Sequence, residues 1–222
     1  MQPDRIPDRR APSPVEERLT SFGGVRDLAG RWWEIMRSPR IRTFDRQRES
    51  ARWPVVWASL IPLAVIEALG VAYVVYGPDA AAGYSSLPLG TKLHLPQTPL
   101  LPLAALAGSV AQFFIFSGLL WLIARLVGGR GSFATQSYLI ALWWVPLMAA
   151  SDVFELVPVV GATLGTLLRV YGLYLCVLAV ASAHRLRLPR AFAAVLVLVF
   201  AGVLLGLVML TVFGARVARF VA

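Results

Sequence analysis

Two ionisable side chains and one amide interrupt the longest apolar runs of the sequence. Glu67 lies within AVIEALG (64–70), and Arg169 and Gln112 lie in two later runs. Charged groups in hydrocarbon are costly, and those that occur there pair with each other or line the routes of ions and protons. Opposite charges form charge-assisted contacts, and an amide can satisfy the remaining lone pairs. These three residues are therefore the first candidates for a site, either as a structural pair or as a transport layer.

Catalysis and metal binding have weaker candidates. The possible nucleophiles, which lack a histidine and a carboxylate nearby in the sequence, are Ser117, Ser132, Ser137, Ser182 and Cys176. A zinc site needs several His, Cys or carboxylate ligands, but His94 stands alone in one connection. His184 opens the tract HRLRLPR, where we expect it at the membrane interface among arginines. We therefore expect no catalytic residue, no metal and no cofactor.

The amino-acid composition indicates whether water or lipid surrounds these residues. The chain has 222 residues, 58% of them hydrophobic and 15% charged, and a mean hydropathy of +0.68, which is typical of a polytopic membrane protein. A spanning helix needs about 20 apolar residues. Five stretches meet this requirement, at about 54–76, 101–126, 133–151, 157–183 and 190–213. We predict an all-α polytopic integral membrane protein, a bundle of five transmembrane helices, with a kink at Pro146 in the third.

The distribution of basic residues predicts the orientation. With the N-terminus in the cytoplasm, 17 of the 21 basic residues lie on the cytoplasmic side. The C-terminus, after a short tail at 214–222, is then outside. The chain has one lysine and no asparagine, which indicates a GC-rich bacterial genome and hence the cytoplasmic (inner) membrane. Topology and anionic lipid explain the net charge of +9, so we expect membrane lipids and no nucleic acid as partners.

The segment 1–53 is predicted to be a cytoplasmic arm before the membrane domain at 54–213. Residues 1–14 are rich in proline and charge and are expected to be disordered. Residues 25–37 have the pattern of an amphipathic interfacial helix, and a second helix is expected to start at Ser38–Pro39. The residues predicted to contact lipid or a partner are Trp32, Trp33, Ile35 and Met36. Two alternatives stay open for them: a face lying on lipid, or a face docked onto another protein.

Counting along the predicted helices places the three polar residues at one depth. Glu67, Arg169 and Gln112 lie at roughly 20, 21 and 22 Å from the inner boundary, at 1.5 Å per residue. An ionised side chain facing lipid there would cost a few kcal/mol. We therefore predict a buried pair between Glu67 and Arg169, assisted by Gln112, and favour a structural role over transport.

Two glycine pairs indicate close packing between helices. Gly161 and Gly165 lie in the fourth stretch, and Gly202 and Gly206 lie in the fifth. Small residues at this spacing let helix backbones approach each other in lipid. The pairs are therefore predicted to form helix contacts.

The order of several landmarks resembles a known family. These landmarks are Trp33 to Pro39, then Thr43 and Phe44, the run GSFATQSYLIALWWVPLMAASDVFELVPVVG (131–161), YGLYL (171–175) and LPRAFA (188–193). Over about residues 30–213 the chain resembles the bacterial branch of the Yip family, the Ypt/Rab-interacting membrane proteins. The resemblance implies five transmembrane helices, a cytoplasmic N-terminus and no catalytic residues.

The resemblance also bears on partners. Eukaryotic members contact Rab-type GTPases in vesicle traffic and carry a D-L-x-G-P element in the arm. In this sequence DLAG (27–30) is followed by Arg31 in place of proline. The hypothesis that follows is a non-enzymatic scaffold or adaptor, or an accessory subunit of a membrane assembly, in contact with other membrane proteins or with itself. The alternative is a small-solute or ion transporter that uses Glu67, Gln112 and Arg169, and a weaker one is a lipid-handling protein.

Overall fold

Every secondary-structure element in the part of the chain that the structure describes is an α-helix. The structure is a computed structural model that describes residues 27–77, 98–155 and 160–221. The helices in these segments are α1 (Leu28–Arg37), α2 (Ile41–Arg48), α3 (Trp53–Tyr76), α4 (Leu100–Leu126), α5 (Phe133–Glu155), α6 (Val160–His184) and α7 (Leu188–Val221). Each of the helices α3 to α7 is long and apolar enough to cross a membrane. The predicted all-α polytopic fold is confirmed, and the disorder predicted for 1–14 lies outside the described residues.

Some helix bounds differ from the sequence-based ones. α5 contains Pro146 and continues past residue 151 to Glu155, and α7 continues through most of the predicted tail to Val221. The second arm helix begins at Ile41 rather than at Ser38–Pro39. Apolar composition marks the part of a helix that suits hydrocarbon, whereas backbone hydrogen bonding can continue beyond it. The third and fifth predicted spans were therefore shorter than the helices α5 and α7.

Local signals explain several helix ends. Pro54 lies in the first turn of α3, where its missing N–H costs nothing. The Ser132 hydroxyl accepts a hydrogen bond of 3.1 Å from the Thr135 amide and so caps the start of α5. After α6, Arg185 takes a left-handed conformation with φ 54, and the Leu186 amide donates to the Ala181 carbonyl at 3.0 Å. This closure satisfies an end carbonyl of α6 and turns the chain back into α7.

The core of the molecule lies between α5 and α6. α5 packs against α3, α4 and α6. Residues 138–142 of α5 and 175–184 of α6 are all buried. α7 packs against α6 and α4, but in its most apolar part only 11% of residues are buried, compared with 56% in α5. Most of the surface of α7 is therefore left for lipid.

The two arm helices belong to this core. α1 packs against α5, and α2 packs against both α5 and α6. Their buried side chains Leu28, Ile35 and Phe44 join the cluster that contains α5 and α6 residues. α1 and α2 thus form one side of the packed bundle.

Candidate functional site

The first candidate site surrounds Glu67 on α3. The Ser109 hydroxyl of α4 donates a hydrogen bond to Oε2 of the Glu67 carboxylate. Both residues line a cavity of about 30 Å³, which Gln112 and the α5 residues Trp144 and Met148 also line. A polar cavity of this size holds about one water molecule. The structure thus brings Glu67 and Gln112 together, as predicted from their depth.

Arg169 lies elsewhere. It is not among the residues that line the Glu67 cavity, and it is exposed on α6. α5 packs against both α3 and α6, the helices that carry Glu67 and Arg169. The partner predicted for Glu67 is therefore corrected from Arg169 to Ser109, because counting residues gives the height of a side chain but not the face of its helix.

The second candidate site is the interface between the arm and the bundle, which begins at Tyr138. Tyr138 is fully buried on α5. Its hydroxyl accepts from Nη1 of Arg31 at 2.7 Å and donates to Oε1 of Gln47 at 3.4 Å. Nε2 of Gln47 donates to Oε2 of Glu34 at 3.0 Å, and Nη2 of Arg46 lies 2.7 Å from Oε1 of Glu34. One tyrosine thus joins α1 and α2 to α5 through a continuous chain of polar contacts.

Two further tyrosines attach the arm to α6. The Tyr171 hydroxyl donates to the Met36 carbonyl at 2.8 Å, and the Tyr174 hydroxyl donates to the Pro39 carbonyl at 3.1 Å. Both carbonyls lie near the end of α1, where the last turn of a helix leaves carbonyls without intrahelical partners. The two tyrosines therefore satisfy backbone groups that would otherwise be costly at an apolar surface.

A serine near the other end of α6 completes the attachment. The Ser182 hydroxyl donates to Oδ1 of Asp45 at 2.6 Å, and Nη1 of Arg48 donates to the Ser182 carbonyl at 3.4 Å. The contacts of the arm with α6 are thus spread from Tyr171 to Ser182, with the end of α1 and the following turn near Tyr171 and Tyr174 and α2 near Ser182.

The structure shows what covers the face of α1 that was predicted to contact lipid or a partner. Ile35 is fully buried, and Trp32 and Met36 pack partly buried against the core. This face is covered by α5 and α6 of the same chain, so for Ile35 neither of the predicted alternatives, lipid or another protein, is correct. Trp33 points the other way and is 67% exposed. The periodicity found the face correctly but could not identify what covers it.

A third polar cluster surrounds His184, which was expected at the interface. The His184 side chain is buried within the bundle. Nδ1 accepts a hydrogen bond from the Gly131 amide at 3.2 Å, so the proton of the neutral ring lies on Nε2, 2.7 Å from Oε1 of Gln136. Nε2 of Gln136 donates to the Ser117 carbonyl at 2.6 Å. The sequence did not predict this burial, which arises because His184 lies at the end of α6 that faces the 127–132 connection and α5.

The His184 cluster has a structural rather than a catalytic composition. The hydroxyls of Ser117 and Ser137 lie 3.0 Å apart. The other side chains of the cluster are the amide of Gln136 and the imidazole of His184, which bind each other. A histidine that activates a serine needs a hydrogen bond to that serine and a third group that orients the ring. Here the ring is bonded to Gly131 and Gln136 instead. The cluster joins α4, α5 and α6 and satisfies their buried polar atoms.

The glycine pairs behave differently in the two helices. Gly161 and Gly165 are buried in α6, as a packing role requires. A Cβ added at Gly202 or Gly206 of α7 would meet no atom within 4 Å, so the predicted packing role within this chain is wrong for that pair. A helix glycine with a close neighbour that the sequence reasoning missed is Gly172 of α6, where a Cβ would lie 2.7 Å from Cδ2 of Leu147.

Comparison with known families agrees with this architecture. A family model described as the Yip1 domain matches residues 33–210. The matched region begins inside α1 and extends through all five long apolar helices into α7. No curated protein and no solved structure matches the chain.

Proposed function

Because the chain belongs to the Yip family, we propose that this integral membrane protein is a non-enzymatic scaffold or adaptor, or an accessory subunit of a larger membrane assembly. The observation that carries the proposal is the attachment of the arm to α5 and α6 by Tyr138, Tyr171, Tyr174 and Ser182. A surface held in this way has already lost its conformational freedom, so that a partner does not have to order it on binding.

The proposed contact surface is the outward side of α1 around Trp33. This side chain is 67% exposed, while its neighbour Trp32 packs against the core. Tryptophan is enriched at binding hot spots because it buries a large area with few rotamers to fix. Since α1 packs along a spanning helix, the partner that suits this surface is another membrane protein.

Photocrosslinking tests this surface. A photoreactive analogue at Trp33 should form adducts with protein after gentle extraction of the tagged chain. Those adducts should disappear when an excess of untagged chain with Trp33 competes, and should persist when the untagged competitor carries Trp33→Ala. The matched control is Trp57, a 41% exposed tryptophan of α3, which should form adducts with lipid. Adducts with lipid alone at both positions would overturn the adaptor proposal.

The orientation is part of the proposal. The arm would face the cytoplasm of a bacterial cell and the C-terminus would lie outside the inner membrane, because 17 of the 21 basic residues then lie inside. A membrane-impermeant thiol reagent distinguishes the two orientations, provided that Cys176 is first replaced by alanine and a single cysteine is introduced at Arg187, an exposed residue between α6 and α7. Labelling of Arg187→Cys in intact spheroplasts would contradict the orientation.

Transport is the second candidate function, and the Glu67 cavity is the observation that bears on it. Its volume of about 30 Å³ suits one ordered water rather than a solute. The adaptor proposal therefore predicts that Glu67→Gln, which keeps the size of the side chain, leaves partner adducts at Trp33 unchanged. Loss of a proton- or ion-dependent flux in vesicles on the same substitution would favour the transporter instead.

A further inference from the structure

Glu67 and the middle of α6 lie at about the same height, on different sides of α5. Glu67 lines one cavity together with the α5 residue Trp144. The preceding residue, Trp143, reaches α6, where a Cβ added at Gly172 would lie 3.1 Å from Cζ3 of its ring. Adjacent residues of α5 thus connect the level of Glu67 with the level of Gly172.

The turn between α1 and α2 is bound near this height on the α6 side. The hydroxyl of Tyr174, two residues after Gly172, donates to the Pro39 carbonyl at 3.1 Å. Arg40 follows Pro39 directly, and its side chain is exposed. The turn therefore holds a guanidinium close to the level of Glu67, but α5, which packs against both α3 and α6, separates the two groups within one molecule.

Residue counting places both groups well inside a bilayer. Glu67 follows Trp53, the first residue of α3, by 14 residues, about 21 Å along the helix, and its side chain leans back toward that end. Tyr174 precedes the end of α6 by ten residues, about 15 Å. The two helix ends are level, because the ring of Trp53 lies 5.8 Å from that of Phe133 at the start of α5. His184, the last residue of α6, binds the chain two residues before Phe133. With a hydrocarbon layer of about 30 Å, Glu67 and the turn both lie near the middle of the membrane.

The described carboxylates of the arm near Arg40 are bound elsewhere. Asp45 lines the same surface groove as Arg40, but it accepts a hydrogen bond from Ser182 close to the end of α6. Glu34 is paired with Arg46. A guanidinium near the middle of a membrane is costly unless an acceptor meets it there, so Arg40 is best stabilised by a carboxylate at its own height.

Glu67 is a carboxylate at that height on the opposite side of the bundle. It is half-buried, and its described partner is the neutral hydroxyl of Ser109, which leaves acceptor capacity on the carboxylate oxygens. Exposed apolar side chains surround both charged groups: Ile66 and Leu69 on α3, and Val170 and Leu173 on α6. The two sides of the bundle thus present charged groups of opposite sign, each within an apolar surface.

We propose that Arg40 of one copy pairs with Glu67 of a second copy, so that the α2–α6 side of one molecule packs against the α3–α4 side of the next. Copies that insert with the same orientation bring the two groups to one height. A guanidinium presents paired N–H donors that match a carboxylate, and the contact is strengthened in apolar surroundings. Because the interface joins unlike surfaces, each copy binds two others, and the product is a ring or an open row.

Charge favours a second copy over the preceding segment of the same chain as the occupant. Residues 1–26 contain four carboxylates and five arginines, so this segment has no excess of negative charge to offer Arg40. The inference does not rest on the adaptor role, because it uses α2, α6 and α3 and not the Trp33 side of α1.

Charge reversal in separate chains tests the proposal. Arg40→Glu puts two negative charges at every contact between its copies, and Glu67→Arg puts two positive charges there. Each variant alone should lose at least about tenfold in self-association, measured by energy transfer between donor- and acceptor-tagged full-length chains expressed in one membrane. Co-expression of the Arg40→Glu chain with the Glu67→Arg chain should restore association to within a few-fold of the wild type, because every contact between unlike chains then joins opposite charges.

The matched control is Arg187→Glu, the same charge reversal at an exposed arginine beyond the end of α6, where Glu67 of a second copy cannot reach. It should leave association unchanged. Recovery in the mixed expression also shows that both reversed chains fold. The proposal is overturned if the wild type does not self-associate, if either reversed chain associates like the wild type, if the control loses as much, or if the mixture does not recover.

Crosslinking between copies measures the proximity directly. In a Cys176→Ala background, chains with Ser38→Cys are mixed with chains with Gln112→Cys, two exposed positions beside the proposed partners. A short bifunctional thiol reagent should link these chains to each other. Arg187→Cys with Gln112→Cys should give no link, because these positions differ in height. Equal linking in both mixtures, or linking in the second mixture alone, would contradict the proposed contact.

Discussion

The arm interface and the Glu67 cavity are both polar regions within a membrane bundle, but they differ in how their polar atoms are satisfied. Around Tyr138, hydrogen bonds join α1 and α2 to α5, and around His184 they join three helices, α4, α5 and α6. Around Glu67, the described hydrogen bond comes from Ser109, on the helix that follows α3 in the chain. The first region therefore determines how the helices are arranged, whereas the second is a local contact between two neighbouring helices.

The difference predicts unequal sensitivity to a single methyl group. At Gly131, a Cβ would lie 2.3 Å from the Ala183 carbonyl oxygen, and a backbone shift there would also break the bond from the Gly131 amide to His184. Gly131→Ala should lower the free energy of unfolding by about 3 kcal/mol, measured by denaturation in mixed micelles. Gly118→Ala is the control, because a Cβ there would meet no atom within 4 Å. A similar loss of unfolding free energy in both variants would show that close packing around His184 contributes no more to stability than the surroundings of Gly118.

The next largest effect is expected at the centre of the buried cluster. Gln136→Leu would leave Nε2 of His184 and the Ser117 carbonyl without their partners. The expected cost is about 1–3 kcal/mol of unfolding free energy. Ser109→Ala, which removes the hydrogen bond to Glu67, should cost less, since double-mutant cycles in membranes give about 0.6 kcal/mol for an average interhelical hydrogen bond. The reverse order would mean that the Glu67 cavity, rather than the His184 cluster, stabilises the arrangement of the helices.

The same comparison shows what the sequence could predict. Apolar length identified all five spanning helices, and depth counting brought Glu67 and Gln112 to one cavity. Neither apolar length nor depth gives the rotation of a helix about its axis, so counting did not find Ser109, which donates the described hydrogen bond to Glu67. The amphipathic pattern identified the buried face of α1, but lipid, a partner and the chain's own helices all prefer the same apolar face. Gln136 and His184 are 48 residues apart, and in a single sequence nothing marks such a pair.

Weakening the tyrosine contacts should loosen the arm without unfolding the bundle. Tyr171→Phe with Tyr174→Phe removes the two donors to the Met36 and Pro39 carbonyls but keeps both rings. We expect a loss of about 1–2 kcal/mol for the pair and faster amide hydrogen exchange in residues 28–48. Exchange in α5 should stay unchanged. Tyr73→Phe is the control, because this tyrosine is 64% exposed on α3. Unchanged exchange in the arm would mean that its apolar contacts alone hold it in place.

The smallest effect on stability is expected at Gly202 and Gly206, the glycine pair of α7. Substituting this pair tests whether it packs against a helix of the same chain or of another chain. Since a Cβ at Gly202 or Gly206 would meet no atom of the same chain within 4 Å, Gly202→Ala with Gly206→Ala should leave unfolding free energy unchanged or raise it by up to about 1 kcal/mol per residue through helix propensity. Leu204, between them in sequence, is 64% exposed, so Leu204→Ala should likewise cost little and serves as a control for lipid contact. Small residues at this spacing act through close approach of a second helix. If the double glycine variant alone lowered the stability or changed the oligomeric state in vesicles, that helix would have to come from another molecule, because α7 presents this face away from its own bundle.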